Sequence, residues 1–290
     1  MTFRAFLAIA LVAGAIAGCK APEKTRAGTG EGTGEAKANA DANADASAGA
    51  STGADASVAR EERGIGPYEV VFEGTRKVYY VVPPVKGGKH RLLGNLHGVC
   101  NPPGYSCGYW TNAGSNAGFL VCPEGNSRCG PQGPPTWTEP QAKMDDDLEK
   151  AIAVVEANHP GEISREGSVL TAFSLGSYAA VEIAKRHPGR WPYLILNEAN
   201  VSLDATSLRA SGVRAVALIA GENGSQVQGE KATAARLTKQ GFPARLWVMK
   251  GAGHYYSGDI DTIMTDAIAF VVSHEGDGDA GVTSEAGAPR

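Results

Sequence analysis

The chain has no surplus of basic residues: 27 Lys and Arg stand against 31 Asp and Glu in 290 residues, a formal net charge of −4. The cations are also scattered, so there is no electrostatic footprint for a phosphate backbone, and nucleic acid is not an expected partner. Between residues 67 and 274 no apolar run reaches the eighteen or so residues that cross a bilayer, so no membrane-spanning helix is expected there. Both ends are poor in the apolar residues a core needs. Residues 20–66 are largely Ala, Gly, Thr, Asp, Asn and Glu, as in Gly28-Thr29-Gly30-Glu31-Gly32. The same character returns over 275–290, beginning Glu275-Gly276-Asp277-Gly278-Asp279. A disordered tether (19–66) and a disordered tail (275–290) are expected to flank one folded domain, 67–274, long enough for one substantial core.

The first eighteen residues carry a charge at Arg4, an apolar stretch from Phe6 to Ala13, and small residues ending in Ile16-Ala17-Gly18, with Cys19 directly after them. This is the layout of an export signal. Its end resembles the bacterial lipobox, which implies that Cys19 is lipidated and becomes the mature first residue. Lys20, where inner-membrane retention signals place Asp, favours the outer membrane, so a lipid-anchored envelope or extracellular location is expected. Export also implies disulfides for the other four cysteines. Cys100 and Cys107 enclose a turn-rich stretch, as do Cys122 and Cys129, so pairing within each of these couples is the favoured connectivity. The two connectivities that join one couple to the other stay open. Zinc is disfavoured, since its ligand pairs sit about two to four residues apart and these enclose six.

From residue 67 the chain opens with two extended runs, Tyr68-Glu69-Val70-Val71-Phe72 and Lys77-Val78-Tyr79-Tyr80-Val81-Val82, joined across Gly74 as a hairpin. Short apolar runs then alternate with helical stretches. Strands are expected at 91–96, 118–121, 168–172, 193–196, 215–219 and 245–249, and helices at 144–158, 175–186, 230–240 and 260–272. The acids Asp145, Asp146 and Asp147 suit the start of the first helix. Continuously apolar strands alternating with helices predict a mostly parallel sheet covered on both faces, a three-layer α/β/α sandwich with an antiparallel edge. Ligands bind such sheets at the carboxyl ends of the strands.

Three segments at those ends carry chemistry. Ala172-Phe173-Ser174-Leu175-Gly176 follows a strand and opens a helix; its small flanking residues permit a sharp turn that lifts a serine above the sheet. Lys250-Gly251-Ala252-Gly253-His254 follows the last strand and offers a base whose pKa lies near neutrality. Leu96-His97-Gly98-Val99 ends the first parallel strand. Each has a bland alternative, a helix cap, a solvated histidine and a simple turn respectively. In this order they resemble the α/β-hydrolase superfamily, and the resemblance spans the whole domain.

The resemblance implies a Ser174 nucleophile, a His254 base, and an oxyanion hole of backbone N–H groups from Val99 and Leu175, with His97 structural. Its usual acid follows the penultimate strand, where this chain reads Ala220-Gly221-Glu222-Asn223-Gly224. The commonest aspartate position falls near Gly224, so Glu222 is the expected acid, with Glu198 the alternative and Asp204 a more distant third. The implied function is cleavage of carboxylic esters through an acyl-enzyme, on a small-molecule or polymeric ester, without metal or organic cofactor. Secreted lidless esterases and polyester depolymerases are the most similar subgroups. The short link from Leu196 to Val213 leaves no room for a cap domain, so an open site preferring short or soluble esters is expected. A peptidase or amidase using the same triad is the other enzymatic reading, and a non-catalytic envelope module is the alternative of another class.

Overall fold

A computed structural model describes residues 61–138 and 141–276. The expected signal, the lipidation site Cys19, and most of the tether and tail lie outside the described residues. Residues 61–66, read from the sequence as tether, run beside the segment after the second strand. The Glu61 carbonyl accepts from Lys86 N–H and the Ile65 carbonyl from Val82 N–H, while Arg63 N–H donates to Pro84.

The opening hairpin forms as expected from β1 (Tyr68–Glu73) and β2 (Arg76–Val81), with Gly74 in the left-handed region at φ 60°. Six further strands complete the main sheet: β3 (His90–Leu96), β4 (Phe119–Pro123), β7 (Ile163–Phe173), β8 (Tyr193–Asn197), β9 (Ala215–Gly221) and β10 (Ala244–Met249). The order across it is β1-β2-β4-β3-β7-β8-β9-β10. All pairs from β4 to β10 are parallel, and the antiparallel pairs are confined to the β1-β2-β4 edge.

Helices cover both faces because the strand side chains alternate between two cores. On β8, Leu194 and Leu196 join one cluster, and Tyr193 and Ile195 the other. The first face holds α3 (Gln141–Asn158), α4 (Leu175–Arg186) and α6 (Val227–Lys239). The second holds α7 (Ile260–Val272), whose buried stripe Ile260, Ile263, Met264, Ala267, Ile268 and Val271 has helical spacing, together with two short helices. Those two, α1 (Pro103–Tyr109) and α2 (Thr111–Ala117), occupy a stretch the sequence reading left without structure. The three-layer sandwich is therefore the expected one. Between β8 and β9 lies only α5 (Ala205–Ala210), so no cap domain intervenes. Among the described residues, no helix is long and apolar enough to cross a membrane.

Two expectations are corrected here. Helix α3 starts at Gln141, so its acids lie a turn inside and serve tertiary contacts instead of the helix start. Buried Asp145 accepts from His187 at 2.5 Å, and buried Asp147 from Arg76 at 2.7 Å and Asn126 at 2.8 Å. The disulfides are Cys100–Cys129 and Cys107–Cys122, nested, and neither local pair forms. The reason is α1: helix formation turns the fully buried Cys107 onto the sheet, where Cys122 of β4 is also fully buried. Cys100, left before the helix, reaches the small hairpin of β5 (Ser127–Arg128) and β6 (Pro135–Thr136) through Cys129. The chain-entropy model gives a 15-residue loop such as the inner one about 3 kcal/mol.

Candidate active site

The sharp turn after β7 puts Ser174 at φ 51°, ψ −118°, a left-handed conformation that a non-glycine residue holds only when its surroundings impose it. Asn197, at the end of β8, imposes it. Its carbonyl accepts Ser174 N–H at 2.8 Å and Ser177 Oγ–H at 3.1 Å, while its side-chain amide donates to the Ala172 carbonyl at 2.8 Å. A Cβ at Gly176 would collide with the backbone carbonyl of Leu96, so only glycine lets α4 pass this close to β3.

His254 lies on the loop between β10 and α7. Its Nε2 is 2.9 Å from Ser174 Oγ, and its Nδ1 is 3.2 Å from Glu198 Oε2. Phe173 backs the imidazole, with ring centroids 5.1 Å apart. The His254 side chain is 49% exposed and that of Glu198 fully buried, so the row of three groups runs from an open surface into the domain. Glu198 itself has φ 55°, its N–H donates to the Ile219 carbonyl at 2.8 Å, and its Oε1 accepts the Gly221 N–H.

The carboxylate beside His254 is thus Glu198 of the β8 end, not Glu222. Glu222 is exposed, and its Oε2 accepts the Gly251 N–H at 3.0 Å, bracing the turn before the histidine loop. Asp204 caps α5 by accepting Ser207 N–H at 2.8 Å. Space explains the exchange. A Cβ at Gly224 would stand 3.1 Å from Glu198 Oε2, and one at Gly221 would stand 2.9 Å from Glu198 Oε1. A side chain at either glycine would crowd the Glu198 carboxylate, and at Gly221 the Gly253 carbonyl as well.

The segment after β3 closes the third side. A Cβ at Gly98 would lie 3.1 Å from Ser174 Cβ, so the 97–99 segment rests directly on the serine turn. His97 is buried under it: Nδ1–H donates to Gly98 O at 2.8 Å, Nε2 accepts Gly125 N–H at 2.9 Å, and the ring stacks on Trp137 at 4.7 Å. Burial pushes its pKa down to about 4, so it is neutral at ordinary pH and holds the segment in place. Val99 next to it is exposed, and Cys100 beyond is tied down by its disulfide. Leu175 begins α4, where the first N–H groups have no intrahelical partner. Around the site, Tyr105 stacks on Tyr256 at 4.9 Å and its hydroxyl accepts the Tyr256 N–H at 2.8 Å. Asn197, Ser177 and the aromatic pair were missed from the sequence. Only Asn197 had a signal there, a polar residue directly closing an apolar strand.

No protein-family model matches the sequence, and no curated protein matches it either. Solved structures do. A ferulic acid esterase superposes with a TM-score of 0.52 at 13% identity, over 69% of this chain and 93% of that one. An Agrobacterium tumefaciens protein of unknown function described as an α/β hydrolase gives 0.52 at 15% identity, over 70% and 94%. Esterase PE8 gives 0.50 at 20% identity, over 67% and 97%. The likeness is one of fold.

Proposed function

We propose, from the α/β-hydrolase fold of this chain and the row Ser174–His254–Glu198 at its strand ends, that it is a serine esterase working through an acyl-enzyme. The observation that carries the reading is the 2.9 Å approach of His254 Nε2 to Ser174 Oγ on a turn held in a strained conformation. His254 takes the Ser174 proton as the oxygen attacks the ester carbonyl. Glu198 holds the imidazole through Nδ1 and offsets the imidazolium charge. The N–H groups of Leu175 and Val99 bind the oxyanion. His254 then returns the proton to the departing alcohol, takes another from the water that attacks the acyl-enzyme, and gives it to Ser174 Oγ as the acyl–Oγ bond breaks and the acid leaves.

Ester substrates are favoured over amides by the esterases among the fold neighbours, and an uncapped site with a half-exposed histidine admits a chain end or side group of a larger ester. A fluorophosphonate probe tests the reading on the purified protein. The wild type is expected to be labelled at Ser174, and Ser174→Ala not at all, because only a base-activated serine attacks such probes quickly. Equal labelling of both proteins, or of neither, removes the assignment and leaves the fold as a binding module.

A further inference from the structure

Helix α6 carries a buried carboxyl group that the proposed chemistry does not use. Glu230 lies in the first turn of the helix and is fully buried, and a fully buried position ordinarily holds an apolar residue. Its Oε1 accepts the Ala199 N–H at 2.7 Å, and Ala199 is the residue directly after Glu198. Four residues earlier, at the N-cap of α6, Gln226 Oε1 accepts the next N–H, that of Asn200, at 3.1 Å. Between them, a Cβ at Gly229 would collide with the Asn200 side chain, so this face of α6 is cut to receive the turn after β8. That turn needs holding, since Glu198 sits in the left-handed region at φ 55°. We infer that Glu230 is a positioning residue for the triad acid: by gripping the Ala199 N–H from α6 it fixes the turn that aims Glu198 at His254.

This inference rests on the serine esterase reading. The second oxygen of Glu230 is buried with no partner among the described residues, and burial, with Glu198 nearby, pushes the carboxyl up to about 9. The group is therefore neutral at ordinary pH. An amide can replace such a group; an apolar side chain cannot, because it leaves the buried Ala199 N–H without an acceptor.

The test compares Glu230→Met, which keeps the volume and deletes the acceptor, with Glu230→Gln, which keeps an uncharged acceptor. Both are made in the wild type and in Glu198→Gln, with folding followed by circular dichroism. In the wild-type background Glu230→Met is expected to lower kcat roughly 10²-fold, the cost of misplacing a catalytic group by about an ångström, with KM unchanged. Glu230→Gln should stay within about threefold. In the Glu198→Gln background Glu230→Met should cost nothing further, because the group it acts through is already disabled. Should Glu230→Met not fold, Glu230→Asp, which withdraws the acceptor by one methylene, is held to the same criteria. An unchanged kcat for the acceptor-deleting variant overturns the inference, as does a loss of equal size in both backgrounds or a rise in KM alone. If instead the wild type itself shows no Ser174-dependent activity, it is the esterase reading that fails.

Discussion

Replacing Glu198 by glutamine is expected to lower kcat on a soluble ester about 10⁴-fold with little change in KM, the scale seen when the acid of a serine triad is neutralised. The amide presents His254 Nδ1 with no negative charge, and it can hold the ring in the wrong tautomer. Glu222→Gln should stay within about threefold of wild type, because that side chain serves the exposed turn at Gly251 and its exposed contact contributes little. Initial rates of the two variants decide between them. A crippled Glu222→Gln beside an active Glu198→Gln would return the acid role to the end of β9.

Removing either end of the proton-transfer pair should cost still more. Ser174→Ala and His254→Ala are each expected to lower kcat on the order of 10⁶-fold, and the double variant to lose no more than the worse single one, since nucleophile and base act as a unit. Active-site titration of the wild type together with steady-state rates of the three variants measures this. Losses that multiply in the double variant, or a His254→Ala enzyme within about a hundredfold of wild type, would mean that the short Ser174–His254 contact is not the one used.

The parts of the fold legible in the sequence were those built from long-period signals. Uniformly apolar β8 and β9 announce strands buried on both faces, and the buried stripe of α7 fixes a helix whose observed bounds are those expected, residues 260–272. The Ser174 turn was legible because its demands are local: a strand, a serine, small neighbours and a helix. The carboxylate beside His254 was not, because its place is set by how neighbouring strands converge, and a glutamate closing one strand looks in sequence like a glutamate following the next. What could be read was a gap, the missing carboxylate at Gly224, where a Cβ would stand 3.1 Å from Glu198 Oε2. The disulfides went astray for a related reason. The stretch between Cys100 and Cys107 reads as turns and 108–117 carries no clear period, yet 103–117 forms two short helices packed on the sheet. Once α1 forms, Cys107 faces β4 and its sequence neighbour Cys100 is out of reach.

The close approach of Gly224 to the Glu198 carboxylate also opens a transfer of the acid to experiment. A carboxylate in this fold is defined by a point in space, and two strand ends lead to that point. Gly224 is not in the left-handed region that glycine alone tolerates well, and a Cβ there would stand 3.1 Å from Glu198 Oε2 and 3.1 Å from the Gly221 carbonyl. With both groups present they would crowd and repel, so Gly224→Asp alone should be harmful. Joined to Glu198→Ala, which empties the spot, the same aspartate should regain at least about tenfold of the roughly 10⁴-fold loss, as measured by kcat against the Glu198→Ala parent. No regain in a folded double variant would mean that the β9 end cannot reach. A regain would describe a path along which a lineage can hand the charge from one strand to its neighbour: the recipient position gains its acid as the donor gives way, and neither the serine nor the histidine has to move.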